Sequence, residues 1–535
     1  MQDALKTYFP EIEDLYEYQK QAINSLLDKR NTMAIVPTGG GKSLIYQLSG
    51  VLLPGLTIVV SPLKALMREQ VEELVEKGVQ ALAINSDMPF QEQRNVLRKM
   101  SAEKNQIIYV SPERLHNYFF RSALLNSSLN VSLVAIDEAH CISHWGFDFR
   151  PDYANIKPFV KFLRDNGHNP ALLALTATLS KLPREDIIDV FEIENKLVEK
   201  NVIRDNLELN FLEVANDDEK PNEINKFIDN NNLKKVLVYT YSRLKCEELS
   251  VDMKQSGFFH AGLSSEEKID VYKKFKHGDI KVMFSTTAFG MGMNIPDIDG
   301  VIHYQIPESV EEYYQHVGRG ARDKVLCPEC KCLFLWTDKN FDFRVSQIKA
   351  NTLDDEDLKR GFERFNPKNK ANDIVQFNYQ ELYANDGSYG TVNLKLLLQL
   401  FEKHDVLSVV GEINGTPHSI KFVNSTEIWD DLHTALGRRN SFILASKKIN
   451  MPLQDIIQHI YQEELKGNID KIPAEEKQLF IKLNYSELPP AIANKIISES
   501  KDVTKYKLSL LSNLKELTFT TNKEEYIAGV LDISY

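Results

Sequence analysis

The chain has 535 residues, 43% of them apolar, and a formal net charge of −12 at neutral pH. That length leads us to expect roughly three or four domains, and the acidic balance excludes a protein that coats nucleic acid by bulk attraction while leaving room for a local basic track. No apolar run approaches the ~20 residues of a membrane span, the opening Met1-Gln2-Asp3-Ala4-Leu5-Lys6 lacks the basic-then-apolar order of a secretory leader, and five cysteines are too few for a disulfide framework, so a cytoplasmic protein without a membrane partner is expected.

The first predicted element with chemistry is the apolar strand Met33-Ala34-Ile35-Val36. It runs into Pro37-Thr38-Gly39-Gly40-Gly41-Lys42-Ser43 and then into the helix-compatible Leu44-Ile45-Tyr46-Gln47. Glycines at such a turn let consecutive N–H groups point inward at phosphate oxygens, and the following helix N-terminus adds partial positive charge. Lys42 is placed to reach the outer phosphates, the Ser43 hydroxyl to hold Mg²⁺, and the stretch from Thr38 to Leu44 to line a nucleoside triphosphate. Apolar runs of strand length then alternate with helical patterns: Thr57-Ile58-Val59-Val60, Ile107-Ile108-Tyr109-Val110, Leu133-Val134-Ala135-Ile136 and Leu172-Leu173-Ala174-Leu175. A second series follows with Val236-Leu237-Val238-Tyr239, Val282-Met283-Phe284-Ser285 and Val301-Ile302-His303-Tyr304. This order predicts two parallel α/β layers, with the seam near Arg204.

Leu133 to Ile136 leads directly into Asp137-Glu138-Ala139-His140. A carboxylate at the C-terminal end of a parallel strand, beside a phosphate loop, is where Mg²⁺ needs a ligand. Asp137 is assigned that role and Glu138 that of general base for an attacking water. Thr176-Ala177-Thr178 follows the next strand, where small hydroxyl residues can couple the metal site to a neighbouring lobe. Trp145, Phe147 and Phe149 alternate beside Arg150, a pattern in which aromatic faces stack on bases with little sequence preference, each contributing about 1–3 kcal/mol.

Taken in order, these segments resemble the superfamily-two helicases, and specifically the RecQ family of DNA helicases. The resemblance rests on Pro37 to Gln47, Val60-Ser61-Pro62-Leu63-Lys64-Ala65-Leu66-Met67, Ser111-Pro112-Glu113-Arg114-Leu115, Asp137 to Ser143, Thr176-Ala177-Thr178, and above all Trp145-Gly146-Phe147-Asp148-Phe149-Arg150-Pro151-Asp152-Tyr153. The last is similar to the aromatic-rich loop by which RecQ proteins sense single-stranded DNA. Glu312-Tyr313-Tyr314-Gln315-His316-Val317-Gly318-Arg319-Gly320-Ala321-Arg322-Asp323 is similar to the family's last helicase motif. On a continuous helix, spacings of four and three put Gln315, Arg319 and Arg322 on one face, facing the ATP cleft. His260-Ala261-Gly262-Leu263 and Thr286 to Asn294 are similar to motifs lining the DNA path and the cleft, which makes His260 a DNA contact.

The resemblance implies two tandem RecA-like lobes, residues 1–204 and 205–345. It also implies ATP and Mg²⁺ as cofactors, single-stranded and forked or junction DNA as partner, 3′–5′ movement, and a prokaryotic-type, nucleoid-associated setting in DNA repair or recombination. Rival readings are a translocase or remodeller that does not separate strands, acting on DNA or RNA, and a nucleotide-regulated scaffold. The chain departs from the family in several places. His144 and Phe147 replace the usual Gln and His of the aromatic loop. Leu15-Tyr16-Glu17-Tyr18-Gln19 replaces Phe-Arg-Pro-x-Gln, leaving Gln19 to read the adenine edge and Tyr16 to stack on the base. Ile295-Pro296-Asp297-Ile298-Asp299 replaces Lys-Pro-x-x-Arg.

Beyond residue 345 the sequence becomes charged and mostly helical. Residues 394–407, followed by Val409-Val410-Gly411-Glu412-Ile413-Asn414-Gly415, read as a helix and a hairpin, the order of a winged helix, within a linker and winged-helix region 346–440. Residues 441–535 read as a helical C-terminal region without a motif. Lys359, Arg360, Arg364, Lys368 and Lys370 read either as a duplex-facing patch or as a solvated helix face. RecQ proteins often carry a four-cysteine zinc domain after the second lobe. Here Cys327-Pro328-Glu329-Cys330 has zinc-like spacing, but no cysteine follows Cys332, so a free-thiol loop is favoured over zinc.

Overall fold

The computed structural model describes all residues except 37, 38, 63, 86, 87, 89, 103–106, 127–129, 144–149, 178, 179, 199–203, 290–294, 369, 384–392, 415, 416, 418, 419, 424–429, 433, 434, 436–440, 472–476 and 533–535. Its first sheet has seven strands: β1 Thr32–Ile35, β2 Leu56–Val60, β3 Ala81–Ile84, β4 Ile107–Val110, β5 Val131–Ile136, β6 Ala171–Thr176 and β7 Asn195–Val198. They lie side by side in the order β3-β4-β2-β5-β6-β1-β7, all parallel. Strands β1, β2, β4 and β6 are buried along their whole length, as a parallel sheet covered on both faces requires.

The second sheet has β8 Leu207–Glu213, β9 Val236–Tyr239, β10 Ser256–Phe259, β11 Val282–Ser285, β12 Gly300–His303 and β13 Cys330–Trp336. It is also wholly parallel, in the order β10-β11-β9-β12-β13-β8. Two α/β lobes are therefore present, and the glycine-rich segment and Asp137-Glu138 of the first lie at the C-terminal ends of β1 and β5, where doubly wound sheets place ligands.

The C-terminal third is woven differently from its sequence reading. Helix Leu394–Lys403 and strand β15 Leu407–Asn414 do form, together with an unanticipated strand β14 Ile374–Asn378, but β15 does not fold back on itself as a hairpin. It continues through a bulge at Val409/Gly411 and, past the pair β16 Ile420–Phe422 and β17 Ile469–Lys471, joins antiparallel with β18 Lys477–Leu483, giving a three-stranded sheet β14-β18-β15. Gly411 is there for close approach rather than for a turn, because a Cβ would meet Ile457 Cδ1 at 2.5 Å. The sheet draws its strands from both sides of residue 440, with residues 415–476 inserted between β15 and β18 in the chain.

That insert carries helices Phe442–Ile449 and Leu453–Lys466, which join the core of the first lobe. Phe442, Ile456, Ile460 and Tyr461 are buried in one cluster with Phe119, Phe120 and Ile136, and the rings of Phe119 and Tyr461 stack 5.2 Å apart.

The last long helix, Pro490–Phe519, joins two cores. Ala493 and Ile496 near its start pack with Leu358, Leu397 and Ile481. Leu511, Leu514 and Leu517 near its end are buried in the core of the second lobe with Phe334 and Trp336. Between them the Tyr506 hydroxyl meets Ser180 of the first lobe at 2.8 Å, and Asp532 beyond it pairs with Arg184. Both lobes are thus bound to the C-terminal third by apolar cores and polar ties alike.

Candidate active site between the lobes

Strand β1 ends at Ile35, and helix Lys42–Leu52 begins after Gly41. Gly39 and Gly41 have φ of +85° and +71°, left-handed values that glycine adopts without a steric penalty. A Cβ on Gly39 would meet nothing within 4 Å, so the loop keeps an open side. Lys42 and Ser43, both half-buried, stand at the first two positions of the helix, the geometry of a phosphate cradle. Thr38 lies outside the described residues.

The base-side residues grip this loop. The Tyr18 hydroxyl donates to the Gly40 carbonyl, and Gln19 Nε2 donates to the Gly41 carbonyl at 3.1 Å while its Oε1 accepts from Tyr16 N at 2.9 Å. Gln19 is therefore buried with both ends of its amide engaged. Tyr16 is 64% exposed and stacks on Tyr18, with ring centroids 5.5 Å apart, leaving an aromatic face open to solvent.

Asp137 and Glu138 follow β5 and are both buried. Burial, then the neighbouring Glu138 charge, raise the Asp137 carboxyl from its ordinary 3.8 to about 7. Burial also pushes Glu138 upward, but Lys42, His140, Arg319 and Arg150 together hold it below the ordinary value. One carboxyl of the pair thus favours its proton and the other its charge, as close buried carboxylates do. Glu138 has φ +51°, a strained left-handed conformation for a residue with a side chain. Its Oε2 lies 3.4 Å from His140 Nδ1, and that nitrogen lies 3.1 Å from Thr176 Oγ1. Thr176 is so joined to the acidic turn through His140. Thr178 lies outside the described residues.

From the second lobe come Gln315, Arg319 and Arg322. Helix Val310–Val317 stops before Gly318, so the single helical face expected for the three is not formed. Only Gln315 is helical, and both arginines lie in the turn beyond, where Ala321 has φ +40°. The turn is held instead by Arg204, whose guanidinium donates to the carbonyls of Gly318 (3.2 Å), Gly320 (2.8 Å) and Ala321, with Asn206 Nδ2 adding a bond to Ala321 O at 3.0 Å. The sequence reading used Arg204 only to mark the seam. Its mechanical role was signalled by nothing but its place just before β8.

Arg319 is buried and acts electrostatically on both Asp137 and Glu138. Its Nε and the Gln315 Nε2 are buried donors without a hydrogen-bond partner among the described residues. Burial, reinforced by Arg319, lowers Arg322 from 12.5 to about 9. The donor set therefore fits a polyanion with a hard cation: a glycine cradle and Lys42 on one wall, buried carboxylates at the floor, and buried guanidinium groups opposite.

Of the residues expected to touch DNA, Trp145, Phe147 and Phe149 lie outside the described residues, as does His144. Arg150 is described, and its N–H donates to Cys141 O at 3.0 Å. His260 is buried in the second lobe, stacked on Phe258, with Nε2 2.9 Å from Glu247 Oε1. The basic cluster is partly neutralised in place: Lys359, Arg360 and Arg364 pair with Asp355, Glu356 and Glu381.

Among the described residues no group of three or more His, Cys, Asp or Glu side chains is placed to hold a metal. Cys327, Cys330 and Cys332 are buried in and just before β13, and among the described residues they gather no further His, Cys, Asp or Glu towards the four ligands that structural zinc takes. These thiols do not fit a structural zinc site.

Residues 16–186 match the family model described as DEAD/DEAH box helicase, and residues 219–324 that of the helicase conserved C-terminal domain. The ATP-dependent DNA helicase RecQ of Bacillus subtilis is 36% identical over 366 residues, 67% of this chain and 60% of the relative. The probable ATP-dependent DNA helicase RecS of the same organism is 38% identical over 312 residues, 57% of this chain and 61% of the relative. The chain thus spans about six-tenths of the length of these relatives. Among solved structures, Mycobacterium smegmatis helicase Lhr bound to ssDNA and AMP-PNP shares the fold at a TM-score of 0.52 and 18% identity, over 65% of this chain and 49% of that one. DUF1998 helicase MrfA bound to DNA and AMPPNP does so at 0.52 and 20%, over 65% and 52%. With two parallel lobes, a phosphate cradle facing buried arginines, and RecQ helicases of more than one genus as relatives, the chain belongs to the RecQ family of superfamily-two helicases.

Proposed function

We propose that this chain is a DNA-stimulated ATPase and 3′–5′ DNA helicase whose site takes ATP with Mg²⁺. Residues 1–204 and 205–345 form its two motor lobes, and the C-terminal third is a single module woven through both of its predicted segments. The observation that carries the reading is Arg319, a buried cation of one lobe whose field falls on the carboxylate pair of the other.

Tyr16 offers its exposed ring to the adenine, and Gln19 exchanges its contacts within the phosphate loop for the base edge. Thr38, Gly39, Gly40, Gly41, Lys42, Ser43 and Leu44 wrap the phosphates. Ser43 and Asp137 would hold Mg²⁺, which neutralises charge developing on the β- and γ-phosphoryl oxygens when bound. Glu138, kept ionised by its cationic neighbours, takes the proton of the attacking water. Gln315, Arg319 and Arg322 complete the site only when the lobes close, and arginines so placed contribute about 10³–10⁵ in rate. Closure and reopening move single-stranded DNA along the seam, with Trp145, Phe147, Phe149 and Arg150 sensing the strand and His260 supporting the DNA path of the second lobe.

The test is ATP turnover with and without single-stranded DNA, followed by strand separation on forked DNA and on the RNA equivalent. Lys42→Ala is expected to abolish turnover while retaining DNA binding. Substantial residual turnover refutes the phosphate-loop assignment. Turnover without strand separation assigns the chain to a translocase, and RNA preference to a different substrate.

A further inference from the structure

The short helical turn Pro151–Asn155 leaves the first lobe's acidic segment in an unusual mechanical position. Tyr153 is buried, and its hydroxyl donates to the main-chain carbonyl of Asp137 at 2.9 Å. The phenol thus holds the backbone of the Asp137-Glu138 turn, beside the bonds from Asp137 N to Val60 O (2.9 Å) and from Cys141 N to Glu138 O (3.0 Å). Tyr153 N in turn bonds Arg150 O at 2.9 Å, and Arg150 N bonds Cys141 O at 3.0 Å, so the turn is stitched to both ends of the acidic segment.

The neighbouring residue, Asp152, faces away from this site. It forms a largely buried salt bridge with Lys395, in the first turn of helix Leu394–Lys403. That helix start is fixed by Asn393 Oδ1, which accepts from the N–H groups of Lys395 (3.0 Å) and Leu396 (3.2 Å).

Lys395 belongs to the C-terminal module, and that module is seated on the first lobe at an independent place. Glu412, buried on β15, accepts from Asn117 Nδ2 at 2.8 Å and is neutralised by Lys477 of β18. The Tyr118 hydroxyl donates to Val410 O at 3.0 Å. The module is therefore anchored on the segment Asn117–Tyr118 and the core of the first lobe, and Lys395 ties it by a salt bridge to the turn that carries Tyr153. Most residues of helix Leu394–Lys403 are buried or half-buried, so the helix is packed into the module rather than offered to solvent.

We propose that Lys395, Asp152 and Tyr153 form a mechanical link by which the C-terminal module sets the position of the Asp137-Glu138 turn. All three are positioning residues for ATP hydrolysis, and the module acts as a brace for the catalytic carboxylates. The link rests on the assignment of Asp137 and Glu138 to hydrolysis. A buried salt bridge is well suited to the task, since removing one partner strands a charge and forces local rearrangement, and displacements of about 1 Å at a reacting centre cost about 10²-fold.

The test uses the full chain with saturating single-stranded DNA, comparing kcat and KM for ATP in Lys395→Met, Lys395→Arg, Asp152→Asn and Tyr153→Phe. The expected result is a fall in kcat of about tenfold or more for Lys395→Met and Tyr153→Phe, with KM changed by less than about twofold because the phosphate loop is untouched. Lys395→Arg restores most of the rate, as a guanidinium still pairs with Asp152. A purely structural role would lower the melting temperature and leave kcat per folded molecule unchanged. Asp152→Asn keeps the side-chain shape and reads the same loss should a larger change prevent folding. Folded Lys395→Met and Asp152→Asn with the kcat of the parent overturn the link while leaving the catalytic assignment intact. A parent chain lacking turnover that Lys42→Ala abolishes overturns both.

Discussion

Replacing Arg204 by Ala tests how the second lobe aims its arginines. Its guanidinium donates to the three carbonyls of Gly318, Gly320 and Ala321 and to Asn206 Oδ1 at 3.2 Å. Hydrogen bonds from a charged donor contribute about 1.5–3 kcal/mol each, but they are not additive. Arg204 is only half-buried, so water re-satisfies part of what is lost. A net destabilisation of about 2–4 kcal/mol follows.

The effect on rate is expected to be larger than that on stability. The three carbonyls belong to the turn carrying Arg319, and a catalytic group displaced by about 1 Å loses about 10² in rate. Steady-state ATP hydrolysis with saturating single-stranded DNA is therefore expected to show kcat reduced about a hundredfold with little change in KM, since no group of Arg204 reaches the phosphate loop. Arg204→Lys is not expected to rescue, because one ammonium cannot present the fixed fork that spans three carbonyls. A folded Arg204→Ala protein with kcat within about threefold of the parent would refute the reasoning.

Two further predictions concern stability. Asp137 keeps its proton in the folded, nucleotide-free protein up to about pH 7, whereas an ordinary aspartate releases it near 3.8. The folded state thus binds more protons than the unfolded state across that window, and this group's contribution to stability declines as pH rises through it. Asp137→Asn is accordingly expected to raise the melting temperature at pH 8, with the gain disappearing towards pH 4. A gain independent of pH argues against a strained carboxylate. Leu514 is fully buried in the core of the second lobe, so Leu514→Ala is expected to cost about 2–5 kcal/mol in denaturant unfolding. A cost below about 1 kcal/mol would mean that the long helix does not belong to that core.

Much of the site was legible in sequence because its chemistry depends on local geometry. A phosphate cradle needs glycines between a strand and a helix, so Gly39, Gly41 and Lys42 declare themselves within a few residues. The carboxylates at the end of β5 do the same. Fully buried parallel strands read as unbroken apolar runs, and Ile107 to Val110, Val236 to Tyr239 and Val282 to Ser285 were placed to the residue. Strand β7, Asn195–Val198, was not anticipated. It is short, polar at its start and at the edge of the sheet, and edge strands carry weak apolar signals.

What the sequence could not convey is everything that depends on which distant segment fills a space. Residues 409–415 read as a hairpin, whereas the strand through Gly411 pairs with β18 and lies against Ile457. Spacing put Gln315, Arg319 and Arg322 on one helical face, while Gly318 and Gly320 weakened that helix; it does end at Gly318, and Arg204 satisfies the carbonyls of the tighter turn beyond. Arg204, Asp152, Tyr153 and Lys395 act through partners tens to hundreds of residues away. The local pattern of glycines, carboxylates and apolar runs marks where the proposed phosphate chemistry sits, since those requirements are met within one turn of chain. Which groups hold that chemistry in place follows only from tertiary packing, because a hydrogen bond or salt bridge between remote segments leaves no periodic trace in the order of residues.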